Sequence, residues 1–203
     1  MSAQLALLGD SVVRAIPLIL TGLAVALAFR AGVFNLGAEG QFLVGAAAST
    51  ATSLSLTWLP GALTLVVALI AGAGAGALWA GIAAELRRKY HVLEIISTIM
   101  LNFIALYFVS FLVRGPLQEP THIYPQTSSL NEAARLPVIL PGTRLHAGIL
   151  IAAVIAIVLY WIFRETAVGF RIRASGMSPR AAESAGMVDV ARLSWKCFCG
   201  AER

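Results

Sequence analysis

Charge is what this sequence has least of. Only 12% of its 203 residues are Asp, Glu, Lys or Arg, against about 25% in a soluble domain. Meanwhile 59% are hydrophobic and the mean hydropathy is +0.83. Low charge with high apolar content excludes a disordered chain, which has the reverse composition. It also leaves too much apolar surface for one soluble core. Catalytic signatures are missing as well. No GxxxxGK[ST] occurs, so this chain carries no P-loop for ATP. There is no HExxH and no GxSxG. The two cysteines, Cys197 and Cys199, form one short CxC pair, which cannot complete a tetrahedral metal site alone. His91, His122 and His146 are scattered and read as loop or interface residues. No catalytic, cofactor or metal residue is therefore expected. The net charge of +5 would suggest nucleic acid in a soluble protein. In a membrane protein it reflects basic cytoplasmic loops, and no nucleic-acid partner is expected.

What is present is a series of long uncharged runs. Since a crossing needs about 20 apolar residues, they define about five spans, near 15–29, 40–58, 61–84, 95–113 and 145–163. Trp58-Leu59-Pro60-Gly61 divides the longest run, with an interfacial aromatic followed by a helix breaker. The runs are continuous rather than alternating, which selects helices over a β-barrel. The expected fold is all-α, a polytopic transmembrane helical bundle in contact with membrane lipid, with residues 1–196 as a single domain. Placing the N-terminus outside puts 11 of the 15 Lys and Arg on the cytoplasmic side. The loop 114–144, with five prolines, is then extracytoplasmic.

Four features stand out within this frame. Residues 31–41, AGVFNLGAEGQ, should form a connection on the cytoplasmic side, yet they are mostly apolar and carry Gly32, Gly37 and Gly40. Irregular backbone at membrane depth is tolerated where protein or a water-filled cavity surrounds it. Asn35, Glu39 and Gln41 are thus candidates for a translocation path, the alternative being an ordinary interfacial turn. On the fourth span Glu94, Thr98 and Asn102 share one helix face beside Ser97. This polar stripe serves either a path or hydrogen bonding between helices. Gly72 and Gly76 form a GxxxG pair, a packing surface. Last, 169–186, GFRIRASGMSPRAAESAG, lies on the basic side. Ser178 as N-cap, Pro179 at the first position and Gly186 at the end predict a helix of about two turns over 179–185. It is too short to hold itself together. Its small face, Ala181, Ala182 and Ala185, suits either a groove in another protein or, with Arg171, Arg173 and Arg180, an anionic lipid surface.

The stretches FNLGAEGQ (34–41), STIMLN (97–102), LPGTRLHAG (140–148) and GFRIRASGMSPRAAESAGM (169–187) together resemble the membrane permeases of ABC importers. The class is that of ribose, simple-sugar, nucleoside and branched-chain amino acid permeases, the simple-sugar and nucleoside branch being nearest. The resemblance runs over roughly 10–196. It implies that 164–190 is a cytoplasmic coupling loop whose short helix docks in a separate ATPase subunit, which binds ATP and Mg. Gly169, Arg171, Arg173, Ala174, Gly176, Pro179, Ala181, Ala182, Ala185 and Gly186 are then the coupling residues. It further implies a second permease subunit, identical or homologous, and an extracytoplasmic substrate-binding protein. This chain has His91-Val92-Leu93-Glu94 where the family often has Gly-Val-Asn-Glu. Permeases of this class are also longer, so the chain reads as the middle of one, with 197–203 as the end of a truncated or frameshifted product. The competing readings are an ion-gradient-driven secondary transporter or channel, and a truncated permease fragment without function.

Overall fold

The computed structural model of the chain describes residues 2–121, 124–130, 134–139, 145–178, 182, 184 and 185. The described chain is helical, with no β-strand beyond isolated bridges. The helices are α1 (Ser2–Arg30), α2 (Ala38–Ser55), α3 (Gly61–Tyr90), α4 (Glu94–Arg114), α5 (Gly148–Glu165) and α6 (Ala167–Met177). Among the described residues four stretches are long and apolar enough to cross a membrane: Gly9–Arg30, Gly61–Tyr90, Glu94–Arg114 and Gly148–Glu165. That is close to the five spans expected. The 18 residues of α2 would reach about 27 Å, but Glu39, Gln41 and a run of Ser and Thr from Ser49 to Ser55 lower its hydropathy. The outer surface is apolar, with Ile70, Tyr107, Phe111 and Ile157 each about two-thirds exposed or more. Such a surface would be a liability in water and is stable against lipid.

The chain divides into two compact units, Met1–Asn35 with Val138–Arg203, and Leu36–Pro137. In the second unit α2 and α3 meet backbone to backbone. A Cβ on Gly72 would stand 2.9 Å from the Gly45 carbonyl oxygen and 3.0 Å from Ser49 Cβ. One on Gly76 would come 3.1 Å from the Gln41 carbonyl oxygen. Gly74, on another face of α3, has open space around its Cβ position. The seam therefore uses the GxxxG pair and spares the glycine between, as small-residue packing in lipid requires. The turn into α3 is closed by Thr64, only 3% exposed, whose hydroxyl lies within reach of the Leu56, Leu59 and Pro60 carbonyls. Trp79 of α3 stacks on Phe108 of α4, centroids 6.2 Å apart.

Beyond α4 the chain folds back, pairing Gln118 with Thr127. The Glu119 carboxylate accepts from the Thr121 hydroxyl and the Gln126 amide, which together hold it below the usual carboxylate range.

In the first unit α1 contains Pro17 and ends in a tight cap. Gly32 takes φ +76°, the Val33 amide donates to the Ala28 carbonyl at 3.0 Å, and the Gly32 amide donates to the Phe29 carbonyl at 3.1 Å. This pair of bonds is the Schellman pattern, and the left-handed position suits glycine. α5 starts at Gly148, whose amide donates to His146 Nδ1 at 3.1 Å.

The α2–α3 seam gives a paired test. Gly72→Leu is expected to destabilise the detergent-solubilised chain by about 1–3 kcal/mol, the usual cost of overpacking. Gly74→Leu is expected to be neutral or slightly stabilising. Thermal unfolding followed by far-UV dichroism reads both, and equal effects would refute the seam.

Candidate functional site

α2 begins without a cap of its own. Gly37 occupies the N-cap position and has no side chain to receive the first amides. The missing acceptor comes from α4. Asn102 Oδ1 accepts from the Gly40 amide at 2.8 Å, while Asn102 Nδ2 donates to the Leu36 carbonyl at 2.8 Å. One side-chain amide, with its donor and acceptor ends both engaged, thus closes the turn and caps the helix. Contact is close enough that a Cβ on Gly40 would lie 2.9 Å from Asn102 Oδ1 and 3.1 Å from Ala105 Cβ. Ala105 itself is fully buried.

The rest of the polar stripe turns inward on its own helix. The Thr98 hydroxyl donates to the Glu94 carbonyl at 2.8 Å, and the Ser97 hydroxyl to the same oxygen at 3.1 Å. Both side chains are buried. The Glu94 carboxylate pairs with Arg87 across the α3–α4 connection. Glu39 is exposed on the first turn of α2 and Gln41 is half-buried. The Asn35 amide donates to the Val33 carbonyl at 3.1 Å. Asn102 is therefore joined to the 36–40 turn, whereas Thr98 and Glu94 lie about one and two turns away from it along α4. The α3–α4 connection also accounts for the departure at position 91. His91 caps α3 in the left-handed region at φ 53°, a conformation that glycine adopts freely and histidine tolerates better than most residues.

The coupling candidates form a second cluster. Residues 167–177, expected as loop leading to a short helix, are helical as α6. Thr166 starts it: the Thr166 hydroxyl accepts from the Gly169 amide at 3.2 Å. Gly169 is buried against α5, where a Cβ would fall 2.1 Å from the Ile162 carbonyl oxygen. Gly176 meets the end of α1. A Cβ there would lie 2.3 Å from the Arg30 carbonyl oxygen and 3.0 Å from the Gly32 nitrogen. The left-handed turn of α1 and the glycine near the end of α6 are thus fitted to each other. Arg171 is exposed, Arg173 and Ala174 are half-buried, and Ser175 is 7% exposed. Ser178 leaves α6 in an extended conformation, and the Ser178 carbonyl accepts from the Ala182 amide at 3.0 Å. Ala182 is buried and Ala185 exposed. Pro179, Ala181 and Gly186, and with them most of the helix expected over 179–185, lie outside the described residues. Among the described residues no three His, Cys, Asp or Glu side chains gather as they would around a metal.

A multi-pass membrane protein with a basic segment on one side is the class these features define. Residues 7–201 match the family described as branched-chain amino acid transport system / permease component. The chain belongs to that permease family. It is 42% identical over 190 residues to the glucose ABC transporter permease protein TsgB13 of Haloferax volcanii, covering 89% of this chain and 50% of the relative. It is 38% identical over 184 residues to the guanosine ABC transporter permease protein NupP of Bacillus subtilis, covering 88% and 52%. It is 33% identical over 188 residues to the nucleoside ABC transporter permease protein NupB of Lactococcus lactis subsp. cremoris, covering 89% and 52%. The chain spans about half the length of these curated relatives. No solved structure matches it.

The Asn102 clamp is testable by substitution. Asn102→Leu keeps the volume but leaves the Gly40 amide and the Leu36 carbonyl without partners. A loss of about 1–3 kcal/mol of stability is expected, with faster hydrogen exchange at the Gly40 amide. Unchanged protection of that amide would show that Asn102 does not cap α2.

Proposed function

We propose that this chain is the membrane-spanning permease part of an ATP-binding-cassette importer for nucleosides or simple sugars. It works beside a second permease subunit. A separate ATPase subunit supplies the energy by binding ATP and Mg, and an extracytoplasmic binding protein delivers the solute. The permeases of glucose, guanosine and nucleosides among its relatives support the substrate class. The observation that carries the coupling role is the seating of Gly176 on the end of α1. A displacement of α6 meets backbone on two sides, α1 through Gly176 and α5 through Gly169. At each contact the atoms nearest the glycine's Cβ position are backbone atoms. A push from an ATPase subunit on 169–186 therefore passes into two membrane helices. Arg171, exposed on α6, and the small, exposed Ala185 offer the surface for that subunit. On the other unit we assign Glu39 and Gln41, at the start of α2, to the solute path, with Asn102 holding their turn.

The test is a pair of substitutions in the importer reconstituted in proteoliposomes. Gly176→Leu is expected to leave ATP hydrolysis within about two-fold of wild type while uptake falls at least about ten-fold, a coupling loss of about 1.4 kcal/mol or more. Arg171→Glu, on the exposed side of α6, is expected to weaken co-purification of the ATPase subunit. Normal uptake by Gly176→Leu would contradict the assignment.

A further inference from the structure

The second unit holds an open groove of about 250 Å³ lined by Leu43, Leu106, Val109, Ser110, Val113 and Arg114, with Pro125 at its edge. It runs along α4 toward that helix's C-terminal end, with α2 on one side. Its walls are aliphatic for most of their length, and the polar groups, Ser110 and Arg114, are gathered at the end. The volume falls below the roughly 300–1,000 Å³ of sites that enclose a small solute. The same helix carries further exposed apolar surface, with Tyr107 and Phe111 72% and 68% exposed. Arg114 is exposed and forms no ion pair among the described residues. Glu119, five residues on, is occupied by Thr121 and Gln126 instead. A free guanidinium at the end of a spanning helix, above an aliphatic furrow, matches one chemistry in both parts. The guanidinium takes a phosphate through its forked donors, and the furrow takes an alkyl chain.

We propose that this groove is a binding site for an anionic phospholipid, with the phosphate on Arg114 and the Ser110 hydroxyl, and one acyl chain along Leu43, Leu106, Val109 and Val113. Electrostatic attraction selects the headgroup, because a zwitterionic lipid with the same chains presents its phosphate already neutralised. One basic side chain near a membrane surface supplies a preference of about five-fold. The bound chain would fill the furrow and stiffen the outer half of α4 against α2.

Native mass spectrometry of the full chain in detergent tests this, with phosphatidylglycerol and phosphatidylcholine of identical acyl chains as probes. Wild type is expected to retain phosphatidylglycerol about five-fold better than phosphatidylcholine. Arg114→Gln is expected to erase that preference, Arg114→Lys to keep part of it, and Arg14→Gln, which removes a basic residue from α1, to leave it unchanged. Val109→Trp fills the furrow and is expected to lower retention of both lipids. Helix content by circular dichroism reports whether each variant is folded. Equal retention of the two lipids by wild type would overturn the proposal. So would a preference that survives in folded Arg114→Gln, or one that Arg14→Gln reduces equally.

Discussion

A helix that ends inside or beside a bilayer leaves backbone donors and acceptors that water cannot satisfy, and each one unpaired costs several kcal/mol. The segment from the end of α1 to the first turn of α2 is where this chain meets that constraint most directly. The α1 side closes on itself, with Gly32 and Val33 returning their amides to Phe29 and Ala28. The α2 side has no internal solution, because Gly37 offers no side chain. It takes its acceptor from Asn102, 62 residues away. A motif that looks like an apolar loop is therefore tied to α4 through both ends of one side-chain amide.

The same economy appears at several helix contacts. Many large side chains are exposed, although Trp79 stacks on Phe108 between α3 and α4, and four close contacts set backbone against glycine: Gly72 with Gly45, Gly76 with Gln41, Gly176 with Arg30 and Gly32, Gly169 with Ile162. In lipid there is no hydrophobic drive between apolar faces, so close van der Waals approach and hydrogen bonds replace it. A consequence for function follows. A contact between two backbones transmits displacement better than one cushioned by rotatable side chains. The segment that the family resemblance assigns to coupling is joined in this way to α5 at Gly169 and to the end of α1 at Gly176.

The sequence showed some of this and concealed the rest for physical reasons. Long charge-free runs marked where helices cross, because the bilayer imposes one length on all of them. They did not reveal that α2 is too polar to rank with the others, since its Ser and Thr carry no charge. Gly72 and Gly76 were recognisable as a packing pair from spacing alone, but their partner on α2 was not, because spacing has no information on neighbours in space. Asn102 and the 34–41 turn were each singled out and left unconnected for that reason. The family resemblance implied a coupling loop over 164–190 with its short helix at 179–185, and Gly169, Ser175 and Gly176, poor helix formers, give no helical signal within α6. The signal available was Thr166 three residues before Gly169, an N-cap that the later Ser178-Pro179 pair overshadowed.

Under the proposed function, α6 and Ala185 face a separate ATPase subunit. Crosslinking tests it most directly. In a chain with Cys197 and Cys199 replaced by Ser, single cysteines are placed at Met177, which is 87% exposed on α6, and at Trp58, which is 78% exposed between α2 and α3 on the opposite expected side. The account expects Met177→Cys to crosslink to the ATPase subunit in membranes, in a yield that changes on adding ATP, and Trp58→Cys not to crosslink. Crosslinking at Trp58 and none at Met177 would contradict it.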